Sequence, residues 1–374
     1  MKLNTNQLAF IALVKAGLWG GEVHLSCHGK LDYREIYKYA CEQTVVGLVA
    51  AGLEQTIDLK VPKDIGLLFA ARTLELEQRC VLMNQFIAST IEKLRQNDIY
   101  TILLKGQGVA ECYDKPLWRT SGDVDLFLSK DNYKKARVFL SQIASVVDDE
   151  NLQSLHLAMT INSWEVELHG TLRCGLWKSM DQGLDEIQNS IFFDGRVRSW
   201  MNGNTQVFLP DANEDVVYVF AHILQHFYKG GVGLRQICDW CRLLWTYKGS
   251  INIELLKHRL FDMGIENEWK AFANLAVEIL GTPAEVMPLY SDSKYYKRCS
   301  RYIMNYILLK GNFGCNESYY SKANFILLRK VKTMHRIFKN SFQHIRLFPR
   351  NSLKSFLYQV YCGIKKNMKL RFDN

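Results

Sequence analysis

Asp123 and Asp125 stand one residue apart in the run Arg119-Thr-Ser-Gly-Asp-Val-Asp-Leu-Phe-Leu128. Side chains of an extended strand alternate faces, so both carboxylates point one way while Val124, Leu126 and Leu128 enter the core. Read so, the two aspartates stand together at an edge. Carboxylates held that close repel each other unless a cation lies between them, and oxygen donors suit Mg²⁺ or Mn²⁺. Upstream, Lys105-Gly106-Gln107 follows a short apolar run, and its glycine lets backbone N–H groups approach an anion at a helix start. Downstream, Glu167, ahead of Glu165, offers a third carboxylate on a neighbouring strand. Such a triad with two divalent ions polarises a nucleoside triphosphate and activates an attacking hydroxyl for in-line displacement.

The elements that must position these groups follow from periodicity. Tyr33 to Gly47 and Asp64 to Asp98 show apolar residues at three and four spacing, which predicts helices over residues 1 to about 97. Ile99 to Leu104 predicts a buried strand, Val109 to Tyr113 a helical piece, and Asp114-Lys-Pro116 a turn. Lys130 to Ser145 returns to helical spacing. Ser154–Ile161 and Trp164–His169 alternate about Asn162-Ser163, a hairpin pattern, and a further strand fits Thr205 to Leu209. From Asn213 the pattern is helical again. The expected fold is α+β: a small mixed sheet with helices between N- and C-terminal helical regions. The expected divisions are 1–97 helical, 98–210 catalytic, 211–320 helical, and 321–374 a basic C-terminal segment.

The run Leu-Leu-Lys-Gly-x-x-x-Ala, then Arg-x-Ser-Gly-Asp-Val-Asp-Leu-Phe-Leu, then Val-Glu-Leu-His resembles the polymerase-β-type nucleotidyltransferase superfamily. Within it the sequence is most similar to the bacterial "uncharacterised nucleotidyltransferase" family, with a likeness to antitoxin-associated and abortive-infection nucleotidyltransferases. The resemblance covers residues 98 to 170 closely, with a weaker echo around Gly233–Trp240. It implies a nucleotidyltransferase fold, an NTP substrate with Mg²⁺, and transfer of a nucleoside monophosphate. It places Gly106 and Gln107 at the phosphate-binding turn, Asp123 and Asp125 as metal ligands, and Glu167 as the third carboxylate. Two departures stand out. Gln107 occupies a position where the superfamily usually has Ser, and the spacer from Gly106 to Asp123 is long, with Arg119 and Ser121 just before the carboxylates. Lys105 or Arg119 then supplies the phosphate contact by charge.

Plainer readings compete at several positions. Glu167 is also compatible with a polar hairpin face, and Lys105 and Arg119 with structural ion pairs. His169 shares a strand face with Glu167 and suits either a ligand-orienting role or a hydrogen-bonded strand end. His222 and His226 share a helical face, but no third ligand accompanies them, which favours a packed pair. His24, Cys27 and His28 lack a fourth zinc ligand. Asp239 pairs with Arg235 or Arg242 on a helix surface, or the helix frames an acceptor or base.

Six prolines and no short repeat argue against linkers or a solenoid. The ten scattered cysteines and the short, Lys15-interrupted apolar stretch Leu8–Trp19 predict a cytoplasmic chain with reduced, largely buried thiols. The net charge of +9 is concentrated: residues 321–374 hold 13 Lys/Arg against the single acid Asp373. That leaves 34 basic and 37 acidic residues in the first 320. A segment so basic packs one face on the core, lies peripherally on an anionic membrane, or grips nucleic acid. The acceptor of the transferred group (small molecule, protein or RNA) is open, as are a toxin-type activity on tRNA or protein and a catalytically inactive binding module.

Overall fold

The computed structural model describes residues 3–152, 154–312, 335, 338–340 and 342–372, with side chains through residue 363. The N-terminal region is helical, as its periodicity predicts: α1 (Thr5–Trp19), α2 (Tyr33–Glu42), α3 (Val46–Glu54) and the long α4 (Lys63–Arg95). Asp64 in the first turn of α4 and Lys93 and Arg95 in its last complement the helix dipole. Gly17 and Gly52 let α1 and α3 cross backbone to backbone: a Cβ at either would lie 2.0–2.1 Å from a carbonyl oxygen of the other helix.

The helix expected over Tyr33–Gly47 is two. The break falls at Gln43-Thr44-Val45, where Thr44 takes a left-handed φ of 55°. A buried Gln43 is the physical reason. Its amide donates to the Ile307 carbonyl at 2.9 Å and its oxygen accepts from the Leu234 N–H at 3.0 Å. A continuous helix gives way to those long-range bonds.

The central sheet runs β1 (Ile102–Leu104), β2 (Asp123–Phe127), β3 (Val146–Val147), β4 (His156–Ile161) and β5 (Trp164–His169), in spatial order β1-β2-β5-β4-β3. β2 and β5 are parallel and the other pairings antiparallel, so the sheet is mixed. The predicted hairpin is present. Asn162 and Ser163 both have positive φ, the geometry of a two-residue turn whose twist matches its strands. β1 is shorter than Ile99–Leu104, and the helical piece begins earlier than Val109, as α5 (Gly106–Ala110). α6 (Lys130–Ser141) and α7 (Lys178–Phe193) flank the sheet, and the expected strand near Thr205 is β7 (Thr205–Pro210), paired with β6 (Val197–Asn202).

One sheet face is apolar. Val124, Leu126, Leu157, Met159, Val166 and Leu168 pack with Met83 and Ile87 of α4 and Tyr133 and Leu140 of α6. The opposite face carries the acidic residues and turns toward α8 (Ala212–Lys229) and α9 (Leu234–Thr246). Behind it, α10 (Ile253–Met263), α11 (Glu266–Glu278) and α12 (Lys294–Lys310) complete a helical core. There Phe220, Trp240 and Trp269 meet with ring centroids 4.7–5.1 Å apart. Apolar packing is continuous from α1 through α12.

Of the basic segment 321–374, residues 321–334, 336–337, 341 and 373–374 lie outside the described residues. The later part docks: Asn351 donates to Glu268 and to the Gly264 carbonyl, and Tyr358 donates to Asp181. It reaches these partners from α13 (Pro349–Phe372) and supports the core-packed reading for this portion. His344 is fully buried, stacked on Phe227 at 3.7 Å, with its Nε2 3.0 Å from the Phe227 carbonyl. Burial pushes its pKa down to about 3, against the smaller raising effect of that carbonyl and with added repulsion from Lys310. The folded protein therefore keeps His344 neutral, while the unfolded chain takes up a proton below about 6.5. Its contribution is intact above that pH and is lost as pH falls toward about 3, at up to ~1.4 kcal/mol per pH unit. Urea midpoints at pH 7 and 5 should diverge less for His344→Phe than for the wild type.

Six of the nine described cysteines are buried and all nine are free thiols, in line with the expected buried, unpaired set. Among the described residues no helix is long and apolar enough to cross a membrane.

Candidate active site

β2 is not an edge strand: β1 covers one side and β5 the other. The aspartates are on an inner strand, at its N-terminal end. The parallel register sets Asp125 beside Glu167 and Asp123 beside Glu165. Neighbours in register point to the same face, so four carboxylates line one surface. Oxygen atoms of Asp123, Asp125 and Glu167 lie within 4.8 Å of one another.

Cations balance two of these three. Lys105 Nζ lies 3.2 Å from Asp125 Oδ2, and His169 Nε2 lies 2.7 Å from Asp125 Oδ1 and 3.4 Å from Glu167 Oε2. Burial opposes ionisation of Asp125, but the Lys105 charge and then the His169 hydrogen bond hold its pKa below the usual range. Glu167 is likewise held low: burial works against it, and hydrogen bonds from His156 and His169 outweigh burial. Conversely, burial disfavours the His169 imidazolium, but Asp125 and Glu167 raise its pKa above the ordinary value.

Asp123 differs. No donor holds its carboxylate among the described residues, and the charge of Asp125, then burial, raises its pKa. The triad therefore retains an uncompensated acidic oxygen pair facing the cleft, which a hard divalent ion would neutralise. The residues present fit such an ion.

The turn into α5 has an unusual backbone. Lys105 (φ 50°) and Gly106 (φ 46°) are both left-handed, a costly conformation for lysine that places its side chain back over β2. Behind the turn runs a buried hydrogen-bond chain. Gln107 donates to Asn84 (2.7 Å) and accepts from Ser121 (2.5 Å). Ser121 accepts from Arg119 (2.8 Å), whose guanidinium grips Asp239 bidentately at 2.7 and 2.8 Å. Tyr113 closes the chain on Asp239 at 2.7 Å. The amide of Gln107, the guanidinium of Arg119 and the hydroxyl of Ser121 are thus occupied in fixing the loop before Asp123. Asp239 is not on a helix surface paired to Arg235 or Arg242. It is buried, and Arg242 bonds Asp114 and the Cys112 and Leu18 carbonyls instead. Gln107→Ala should strand Asn84 and Ser121 and cost about 1–3 kcal/mol in urea unfolding.

Lys105, Gly106, Asp123, Asp125, His222 and Arg235 line a cleft of about 490 Å³. A second cavity of about 720 Å³, between α1, α3 and the 113–120 segment, shares Arg119 and Arg235 with it. His222 and His226 are the packed pair anticipated, with Nε2 atoms 3.0 Å apart. His24, Cys27 and His28 sit near Asp58, which holds the Leu25 and Ser26 N–H groups.

Sequence reasoning missed His156, Asn84 and the partner of Asp239. His156 had a usable signal, because the two-residue turn sets the hairpin register and puts His156 opposite His169. The other two depend on helix docking and leave no local trace.

A mixed sheet, paired carboxylates on an inner strand and a glycine turn thus meet at one cleft. Residues 29–281 match the model of the uncharacterised nucleotidyltransferase family, and the chain belongs to that family. No curated protein and no solved structure matches it.

Proposed function

We propose that the protein transfers a nucleoside monophosphate from a nucleoside triphosphate to an acceptor and releases pyrophosphate. The observation that carries this reading is the partnerless Asp123 carboxylate beside Asp125 and Glu167, next to the Lys105-Gly106 turn. Asp123, Asp125 and Glu167 would hold Mg²⁺ or Mn²⁺, which when bound neutralises triphosphate charge and favours the ionised acceptor hydroxyl.

The chain's own groups have separate tasks. His169 orients Asp125 and Glu167 by bonding both. Lys105, its ammonium held charged by Asp125 against the effect of burial, lines the cleft and would meet a phosphate oxygen there by charge. Gly106 lets the backbone approach that phosphate, and the first N–H groups of α5 lack intrahelical acceptors. Arg119, Ser121 and Gln107 position the Asp123 loop rather than touching substrate. Glu167, bonded by His156 and His169, would help activate the acceptor hydroxyl. The second cavity, which shares the Arg119 and Arg235 side chains with the cleft, would offer the acceptor a place.

A second reading, a nucleotide-binding module without transfer, is favoured by Gln107, whose amide is committed to Asn84 and Ser121 where a phosphate-binding hydroxyl is usual. Incubation with α-labelled and γ-labelled NTPs and cell lysate separates them. Transfer predicts that only the α label enters an acceptor, and fractionation into RNA, protein and small molecules assigns its class. Stabilisation by Mg-NTP with no label transferred to any fraction supports the binding module instead.

A further inference from the structure

We propose that His156, Glu167 and His169 form a second metal site of different chemistry, sharing Glu167 with the aspartate pair and selecting a borderline transition-metal ion. The three residues lie on facing strands of the hairpin: His156 is paired with His169, and Ala158 with Glu167, so both imidazoles and the carboxylate share a face. His156 Nε2 lies 3.0 Å and His169 Nε2 3.4 Å from the same atom, Glu167 Oε2, and all three ligand atoms fall within 4.8 Å of one another. An ion with bond lengths of about 2.1 Å in tetrahedral array needs ligand atoms roughly 3.4 Å apart, which these spacings allow.

The donor types point the same way. Two imidazole nitrogens and one carboxylate suit Zn²⁺, Mn²⁺, Co²⁺ or Fe²⁺, whereas the all-oxygen set of Asp123, Asp125 and Glu167 suits Mg²⁺. A carboxylate has two oxygens, so Glu167 can serve both. The side chains of His156, Glu167 and His169 are 35 %, 22 % and 15 % exposed, so an ion reaches them from solvent. Ion binding requires each Nε2 to present its lone pair, with the proton on Nδ1, and so replaces the present contacts of His169 and His156 with the carboxylates. The inference adds to the nucleotidyltransferase reading without depending on nucleotide transfer.

Cobalt(II) titration of the metal-stripped full chain in excess Mg²⁺ tests it. The site predicts saturable visible d–d bands at one equivalent, displaced by Zn²⁺ and not by further Mg²⁺. His156→Gln should weaken Co²⁺ binding by more than the roughly 10–100-fold typical of a lost outer-shell partner. Far-UV circular dichroism checks that this variant is folded. Asp123→Asn should keep the bands and lose Mg-NTP thermal stabilisation. Wild-type protein without bands, or bands that Mg²⁺ displaces, would show that the histidines only hydrogen-bond the carboxylates and would overturn the second site. If that happens while Mg-NTP still stabilises the wild type and not Asp123→Asn, the nucleotide reading stands by itself. If the bands form and Mg-NTP has no effect, the reverse holds.

Discussion

Asp123→Asn is expected to abolish nucleotidyl transfer while leaving the metal-free fold more stable than wild type. The two effects have one origin. Asp123 has no donor among the described residues, and Asp125 raises its pKa, with burial adding to the shift. An acid whose folded pKa is raised loses stability as pH climbs through the unfolded value, so at neutral pH the ionised Asp123 works against folding. Asparagine keeps the shape and removes the charge. The midpoint of urea unfolding without divalent ions should therefore rise. Transfer should fall by roughly 10³-fold or more, about 4 kcal/mol of barrier, because the site loses the charge that would hold the ion. Asp125→Asn is a contrasting case: Asp125 holds Lys105 and His169, so its loss should lower stability as well as activity. An Asp123→Asn protein that retains transfer, or that is less stable than wild type, would remove the basis of the proposed site.

Arg119→Ala should have the largest effect on stability. Both members of the Arg119–Asp239 pair are about 94 % buried, and Asp239 stays ionised because Arg119 outweighs the burial penalty. Removing one partner leaves a charge without compensation in the interior, a loss of about 3–5 kcal/mol. Arg119→Met with Asp239→Leu removes both charges. It should recover all but the ~1–3 kcal/mol of stranded hydroxyls at Tyr113 and Ser121. The same experiment has a functional arm. The pair anchors the segment leading into Asp123, so the double variant should fold and still transfer less than wild type. A single-variant loss below about 1 kcal/mol would mean that water enters and solvates Asp239, which the pair as described does not allow.

Much of this was legible in one dimension. The aspartate alternation, the hairpin at Asn162-Ser163 and the long helix α4 rest on spacing within about a dozen residues, and all three are present, although Leu67, Leu68, Leu74 and Leu82, read as part of the apolar face of α4, are exposed. The breaks in this reading share one physical cause. The helix expected over Tyr33–Gly47 ends early because Gln43 bonds to residues near 234 and 307. Asp239 looked like a surface partner of Arg235 or Arg242 because helical spacing reports only neighbours on the same helix. Its actual partner is 120 residues away. Gln107 read as a missing hydroxyl, and the structure shows where its amide goes instead.

The sequence by itself determined that Asp123 and Asp125 share a face and that a glycine turn precedes them, because strand pleat and glycine φ freedom are properties of the local chain. Only the tertiary structure decided that this face holds Glu167 beside Asp125, Lys105 between carboxylate and cleft, and two histidines at the rim. Those placements depend on β5 pairing in parallel with β2, and strand order is set by how apolar surfaces distant in sequence bury one another. The isolated pair of acids becomes a charged centre with one unbalanced member through that packing.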